Sequence, residues 1–143
     1  MPSATTANYL YNKQMAYLLH NTAWTAPSSI FVALFTSAPA LDGTGGTEVS
    51  NSATGYARVA IAAGGWNGPS GGNLEYSNAS DIQFATPTAN WGTINAAGLY
   101  DSAIGGTNNL LFIAHLTTPK VVNNGDGAPK ILAGQLRITR ATC

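Results

Sequence analysis

The stretch IFVALFTS at residues 30–37 decides the fold of this chain. Side chains of a β-strand point alternately to its two faces, and in this run both alternating sets are apolar up to Phe35. A run that is apolar on both faces is typical of an inner strand that is covered on both sides. The sequence therefore predicts that residues 30–37 form a central strand of a layered β-structure.

Other strands are predicted from their aromatic and β-branched residues. The longer ones are 56–61, 80–84, 91–100, 108–116 and 136–139, and the shorter ones are 74–77, 120–122 and 130–132. Clusters of Gly and Asn, which tolerate the positive φ of tight turns, separate them at 42–46, 64–73, 105–108 and 123–127. Short strands with turns at this spacing indicate an antiparallel sandwich or barrel. No helical segment separates successive strands after residue 30, which disfavours a doubly wound fold.

One helix is predicted near the N-terminus, where four apolar residues recur at helical spacing. They are Tyr11, Met15, Leu18 and Leu19. Thr5 or Thr6 is the predicted N-cap, and Asn21 is the predicted stop. We therefore predict an all-β fold, an antiparallel β-sandwich of jelly-roll or Ig-like type with a short N-terminal α-helix. The predicted division is a helix or arm at residues 1–27 and the sandwich at residues 28–143.

The composition excludes several classes of function. A chain of 143 residues forms one domain that buries roughly 68–70% of its unfolded surface. Six basic residues offset by six acidic ones supply no concentrated positive field, so neither nucleic acid nor a membrane is expected as a partner. With 45% hydrophobic residues the chain is expected to fold rather than remain disordered.

The same low charge predicts assembly, because charge is what normally keeps monomers apart and protects exposed strand edges. Cys143 is the only cysteine, so an internal disulfide and a Cys-based zinc site are excluded. No signal peptide or membrane-spanning stretch is recognisable, and we expect an intact, soluble protein made in the cytoplasm.

A search for chemistry predicts no catalytic, cofactor-binding or metal site. His20 and His115 are the only imidazoles: His20 is expected at the helix C-terminus, and His115 as a structural or interface residue. No serine lies in a Gly-x-Ser-x-Gly elbow, and the Gly-rich segments 42–46 and 64–68 lack the lysine of a phosphate-binding loop. The acidic residues mostly flank turns, where solvated roles are typical; they are Asp42, Glu48, Glu75, Asp81, Asp101 and Asp126.

A calcium site is the minor alternative, because hard oxygen ligands cluster in two places. The first pairs Asp42 with Glu48, and the second combines Asn123, Asn124 and Asp126. Neither run has the spacing of an EF-hand loop. The sequon Asn78-Ala79-Ser80 is expected to be accidental in a protein without a secretory signal.

The three tryptophans leave a carbohydrate platform open as a further alternative. Trp24, Trp66 and Trp91 could pack against sugar rings, although large aromatic side chains more often fill a core or a subunit interface. Trp66 is the main candidate because it lies in the predicted Gly-rich loop and is expected to project outward.

An ordered set of segments resembles a family of small structural proteins of tailed bacteriophages, labelled tail-fibre-like and in some phages serving as capsid decoration or cement proteins. The segments are 32–39 (VALFTSAP), 42–50 (DGTGGTEVS), 55–58 (GYAR), 89–94 (ANWGTI), 98–101 (GLYD), 109–112 (NLLF), 116–120 (LTTPK) and 133–136 (AGQL). The family pattern carries no catalytic residues, so the resemblance implies a non-enzymatic virion protein.

Within that family we predict a capsid decoration or cement protein on the outer surface of the head, made in the host cytoplasm, with the major capsid protein as partner. The neutral surface and the symmetry of a virion predict a homotrimer, and residues 1–20 are the segment expected to reach a neighbouring subunit. The alternatives are a tail or tail-fibre component and a glycan-binding β-sandwich module. A head location is preferred because the chain has no heptad run for a fibre shaft.

Overall fold

The structure, a computed structural model, describes residues 3–104, 106 and 108–139. The described residues form one helix and eleven strands. The elements are β1 (Thr5–Thr6), α1 (Asn8–His20), β2 (Ser29–Ser37), β3 (Thr47–Glu48), β4 (Val59–Ala62), β5 (Trp66–Ser70), β6 (Glu75–Asn78), β7 (Ile82–Gln83), β8 (Gly92–Tyr100), β9 (Leu110–Val122), β10 (Lys130–Ile131) and β11 (Arg137–Ile138). Predictions that involve Gly105, Thr107 or Cys143 lie outside the described residues.

β2 lies inside a six-stranded antiparallel sheet with the order β1-β9-β8-β2-β3, and β4 also pairs with β2. One edge of β2 is paired along its length with β8, from Phe31 opposite Tyr100 to Phe35 opposite Ala96. The other edge is shared by two short strands, β3 and β4. All residues from Val32 to Phe35 are buried, so the prediction of an inner strand is confirmed.

Two small sheets form the second layer, one of β10 and β7 and one of β11, β6 and β5. The main core lies between this layer and the large sheet. Leu99, Leu136, Val32 and Val122 are among its fully buried side chains. The predicted all-β, antiparallel, sandwich-like fold is confirmed, while the choice between a jelly-roll and an Ig-like arrangement stays a prediction.

The opposite face of the large sheet carries a smaller apolar cluster that includes Ala7, Ala33, Phe35, Tyr100 and Ile113. The rings of Phe35 and Tyr100 stack with their centroids 6.2 Å apart. They lie over Gly98 of β8, where an added Cβ would come within 2.9 Å of the Phe35 ring. Glycine at this position therefore allows the two rings to approach the sheet.

α1 ends as predicted but does not begin as predicted. Asn21 adopts a left-handed conformation with φ of 50°, and the Thr22 N–H bonds the Ala16 carbonyl, which ends the helix. The predicted cap at Thr5 or Thr6 is wrong, because both residues pair with β9 in the sheet. Ala7 takes the N-cap position without a side-chain hydrogen bond. The described residues contain no helix long and apolar enough to span a bilayer.

Two of the predicted connections contain strand structure. The predicted loop 64–73 contains β5, which pairs with β6 through Trp66 opposite Asn78. The two strands predicted at 108–116 and 120–122 are parts of one strand, β9. Its pairing with β8 jumps from His115 opposite Ala96 to Lys120 opposite Ile94, so the residues between them bulge from the sheet.

Leu136 and Leu132 give a matched test of the core. Leu136 is fully buried, whereas Leu132 is 50% exposed four residues earlier. We expect Leu136→Ala to lower the free energy of unfolding by about 2–5 kcal/mol, because it leaves a cavity in the main core. Leu132→Ala is expected to change it by less than about 0.5 kcal/mol. Urea unfolding followed by circular dichroism measures both, and equal effects would contradict the assignment of the core.

Candidate functional site

The densest group of polar contacts lies at the outer edge of β2, in the gap between β3 and β4. β3 pairs near Phe35 and β4 pairs up to Val32, so Leu34 lies between the two ladders. The Leu34 N–H donates to the Tyr56 hydroxyl at 2.9 Å, and this hydroxyl donates to Glu48 Oε1 at 2.9 Å. A tyrosine side chain thus satisfies the backbone where no strand does.

Arg58 completes this group, which we call the Glu48–Arg58 cluster and define as Glu48, Tyr56, Arg58 and Tyr100. Arg58 Nε and Nη2 donate to the two Glu48 oxygens at 2.8 and 2.7 Å, a bidentate ion pair. The Arg58 side chain is only 3% exposed, and its guanidinium carbon lies 3.9 Å from the centre of the Tyr100 ring.

The remaining Arg58 contacts reach the segment that follows β8. Nη1 donates to the Ser102 carbonyl at 3.0 Å, and Nη2 donates to Asn108 Oδ1 at 2.6 Å. One guanidinium therefore ties the outer edge of β2 to the connection between β8 and β9.

Burial and neighbouring charges determine the protonation states of the residues in the Glu48–Arg58 cluster. Burial raises the pKa of Tyr56, and the nearby Glu48 carboxylate raises it further, against the opposing effect of the Leu34 N–H. Burial also raises the pKa of Tyr100. Burial alone would lower the pKa of Arg58, but the hydrogen bonds and charge of Glu48 outweigh it and raise that pKa. A neutral tyrosine and a permanently charged arginine are suited to holding structure rather than to transferring protons.

The structure places the predicted histidines at separate positions. His20 is the last residue of α1, as predicted, and is exposed. His115 lies on β9 opposite Ala96 and is also exposed. Within the described part of the chain, no three His, Cys, Asp or Glu side chains lie close enough to hold a metal ion.

The acidic residues of the calcium alternative have protein partners instead. Asp42 Oδ1 accepts hydrogen bonds from the N–H and hydroxyl of Thr44, which lower the pKa of that carboxyl. Asp126 Oδ2 accepts from the Asn123 N–H at 2.7 Å within its turn. These two residues have the turn roles predicted for them. Glu48 does not, because it forms the buried ion pair with Arg58.

Asn78 of the sequon is a buried structural residue. Its amide nitrogen donates to the carbonyls of Ser80 and Leu132 at 2.8 and 3.0 Å, and its Oδ1 accepts from the Leu136 N–H at 3.0 Å. Asn78 is 1% exposed, so it holds the segment 132–136 against β6.

The three tryptophans do not form a sugar platform of the predicted kind. Trp91 is buried in the main core against Tyr56 and Phe84, and its Nε1 donates to the Thr54 carbonyl at 2.9 Å. Trp66 is not in a projecting loop but on β5, half-buried. Trp24 is half-buried in the connection between α1 and β2.

Trp66 instead lines an open cavity between the large sheet and β5-β6-β11, which we call the apolar groove. Its volume is about 250 Å³, and its lining residues are Ile30, Trp66, Tyr76, Leu99, Phe112 and Ile138. Saccharide sites combine an aromatic surface with convergent hydrogen-bonding groups. The lining of this groove is apolar, which fits an apolar occupant better than a sugar.

The segments that carry the family resemblance supply the Glu48–Arg58 cluster. Glu48 lies in 42–50, Tyr56 and Arg58 lie in 55–58, and Tyr100 lies in 98–101. Residues 5–139 match the sequence model of a family described as Podophage GP4 fiber I protein gp80. The chain belongs to this family. No curated protein matches it.

Membership of this fibre family confirms the predicted resemblance to structural proteins of tailed bacteriophages. The chain is a structural protein of a tailed phage and a component of the virion. Because the match extends from β1 to the end of β11, it includes the helix, both layers of the fold and the complete Glu48–Arg58 cluster.

Tyr56→Phe tests the bridge to β2. The substitution keeps the ring but leaves the buried Leu34 N–H without its acceptor, so we expect the free energy of unfolding to fall by about 1–3 kcal/mol. Tyr11→Phe, at an exposed position on α1, is the control and is expected to have no effect. Thermal and urea unfolding of the two variants measure the difference; equal stabilities would contradict the bridge.

The raised pKa of Tyr56 also predicts a loss of stability in alkali. An unfolded tyrosine ionises near pH 10, whereas folded Tyr56 keeps its proton at higher pH. Its contribution is therefore complete below about pH 10 and is lost as the pH rises further, because the unfolded chain then releases the proton more readily. We expect urea unfolding between about pH 9 and 11 to show a smaller decline for Tyr56→Phe than for the wild type. An identical decline would contradict the prediction.

Arg58→Lys separates bidentate geometry from charge. Lysine keeps the charge but loses the two parallel bonds to Glu48 and the contact with the Tyr100 ring, so we expect a loss of about 1.5–3 kcal/mol. Arg137→Lys is the matched control, because Arg137 forms an exposed ion pair with Glu75 at 3.8 Å and is expected to change stability by less than about 0.5 kcal/mol. Similar losses in both variants would show that the geometry at Arg58 is unimportant.

Proposed function

We propose that this chain is a non-enzymatic structural subunit of a tail fibre of a tailed bacteriophage. The observation that carries the proposal is the match to a fibre protein family over residues 5–139. This match favours the tail-fibre alternative over the capsid decoration predicted first from the sequence. The absence of a heptad run excludes a long coiled-coil shaft within this chain, but a short fibre built from repeated compact subunits needs no such shaft.

The contacts of the polar side chains support a non-enzymatic role. Glu48, Tyr56 and Arg58 bond to one another and to the backbone, so their hydrogen-bonding groups are committed to the fold. Asp81, the residue just before β7, accepts hydrogen bonds from the Ala133 N–H and from Lys130. The Ala133 N–H and Lys130 lower the pKa of that carboxyl, so it stays ionised as a structural acceptor.

A homotrimer remains our proposal for the assembled form. Charged residues make up 8% of the chain, so copies brought together on a virion repel one another weakly. The exposed part of α1 is the proposed contact segment, in keeping with the prediction that residues 1–20 reach a neighbour. Thr5 and Thr6 themselves pair with β9, so the contact is expected to come from the helix that follows them.

Labelled virions test the location. A small peptide tag inserted between Gly71 and Gly72, in an exposed loop where an added Cβ meets no other atom, is expected to leave the fold intact. A second insertion after Gly125, which is also open, serves as the matched control for interference by the tag. Electron microscopy of phage incubated with a tag-specific antibody is expected to show label at the tail in both cases. Label over the symmetry-related sites of the head would overturn the tail-fibre proposal and restore capsid decoration with the major capsid protein as partner.

A further inference from the structure

α1 presents an apolar surface that the rest of the chain does not cover. Of its 13 residues only Leu10 is buried. Leu18 and Leu19 are 71% and 70% exposed, and Tyr17 is also exposed. Lys13 is the only Lys, Arg, Asp or Glu in the helix. Isolated helices of this length are marginal in water, so most of their stability comes from packing of an apolar face.

The apolar groove is the complementary feature. Its volume of about 250 Å³ exceeds the roughly 150 Å³ of an engineered apolar cavity that holds benzene, so it has room for a leucine side chain. Tyr76, at its rim, is 42% exposed. Neither the groove lining nor residues 17–19 near the end of α1 include a charged side chain that would oppose their contact.

The chain's own helix starts on the wrong side of the sheet to fill this groove. Ala7, the N-cap of α1, packs in the cluster with Ala33 and Ile113 on one face of the large sheet. Leu99 and Phe112 line the groove and belong to the main core on the other face. The helix of another molecule is not restricted to that face and can approach the groove.

We propose that Leu18 and Leu19 of one copy dock in the apolar groove of a second copy of this chain. The inference rests on the assembly role proposed above and names the two surfaces that meet. When buried, an aromatic side chain such as Tyr76 contributes roughly 150–250 Å². The end of α1 and the groove rim therefore supply the apolar centre of an interface that needs about 800 Å² per partner, with polar residues around it.

In the proposed arrangement every copy gives a helix to one neighbour and a groove to another, which makes the contact heterologous. Such contacts close into a ring or continue as a filament, depending on the rotation between copies. A ring of three copies is the homotrimer proposed above.

The test measures association of the full-length chain by analytical ultracentrifugation across micromolar to millimolar concentrations. Leu18→Glu on the helix and Tyr76→Glu at the groove are each expected to weaken self-association by about 10- to 100-fold, the effect of losing one buried large side chain. Val121→Glu is the matched control, because Val121 is 56% exposed at the far end of β9 from Phe112 and is expected to leave association unchanged. Circular dichroism verifies that each variant is folded, and Leu19→Lys or Tyr76→Ala replaces a variant that is not.

Mixing the two defective variants distinguishes this contact from a symmetric one. The Tyr76→Glu chain keeps an intact helix and the Leu18→Glu chain keeps an intact groove, so the mixture is expected to form a one-to-one dimer. Trimers or filaments of the wild type support the contact. A wild type that stays monomeric at millimolar concentration, an unaffected Tyr76→Glu variant, or a mixture without dimers would overturn it. None of these results bears on the position of the antibody label on the virion, so the tail-fibre proposal is tested separately.

Discussion

The hydrogen bond from the Leu34 N–H to the Tyr56 hydroxyl is the contact on which the outer edge of the sandwich depends. The central strand β2 is paired continuously on one side, but on the other side two short strands leave a gap at Leu34. Tyr56 fills this gap, and its hydroxyl donates a hydrogen bond to Glu48. Arg58 binds Glu48 and also donates to the connection after β8. The need of the buried Leu34 N–H for an acceptor thus gives a structural role to Glu48 and Arg58, the most buried ion pair among the described residues.

This arrangement gives the Gly-rich stretch 42–50 and the segment 55–58 a structural role. The Gly-rich stretch 42–50 positions Glu48, and the segment 55–58 positions Tyr56 and Arg58. The same segments carry the family resemblance, so that resemblance includes residues that hold the fold together. The exposed surfaces of α1 and of the apolar groove are where we infer the contact between copies.

The sequence was sufficient for the features that arise from local pattern. A run that is apolar on both faces predicted β2, and Asn21, which tolerates the left-handed conformation, predicted the end of α1. The sequence was insufficient to predict features that depend on which strands pair in the folded protein. β5 contains Gly68 and Pro69, which usually mark turns, yet it pairs with β6. Glu48 and Arg58 are an ion pair because β3 and β4 share one edge of β2, and a single sequence contains no signal for that. The positions of Leu18 and Leu19 predicted a helix but not that their side chains would be exposed.

The edges of the large sheet have a consequence for how this protein behaves when many copies are made at once. β1 and β3 are two residues long, and β4 has four. Proteins commonly protect edge strands with lysine and other charges, which this chain largely lacks. β1 pairs with only Phe112 and Ile113 of the 13-residue β9, so the outer edge of β9 over residues 114–122 has no partner strand among the described residues. Pro119, Lys120 and the bulge between His115 and Lys120 lie along this edge, and they interrupt its pairing with an incoming strand when many copies are crowded in an infected cell.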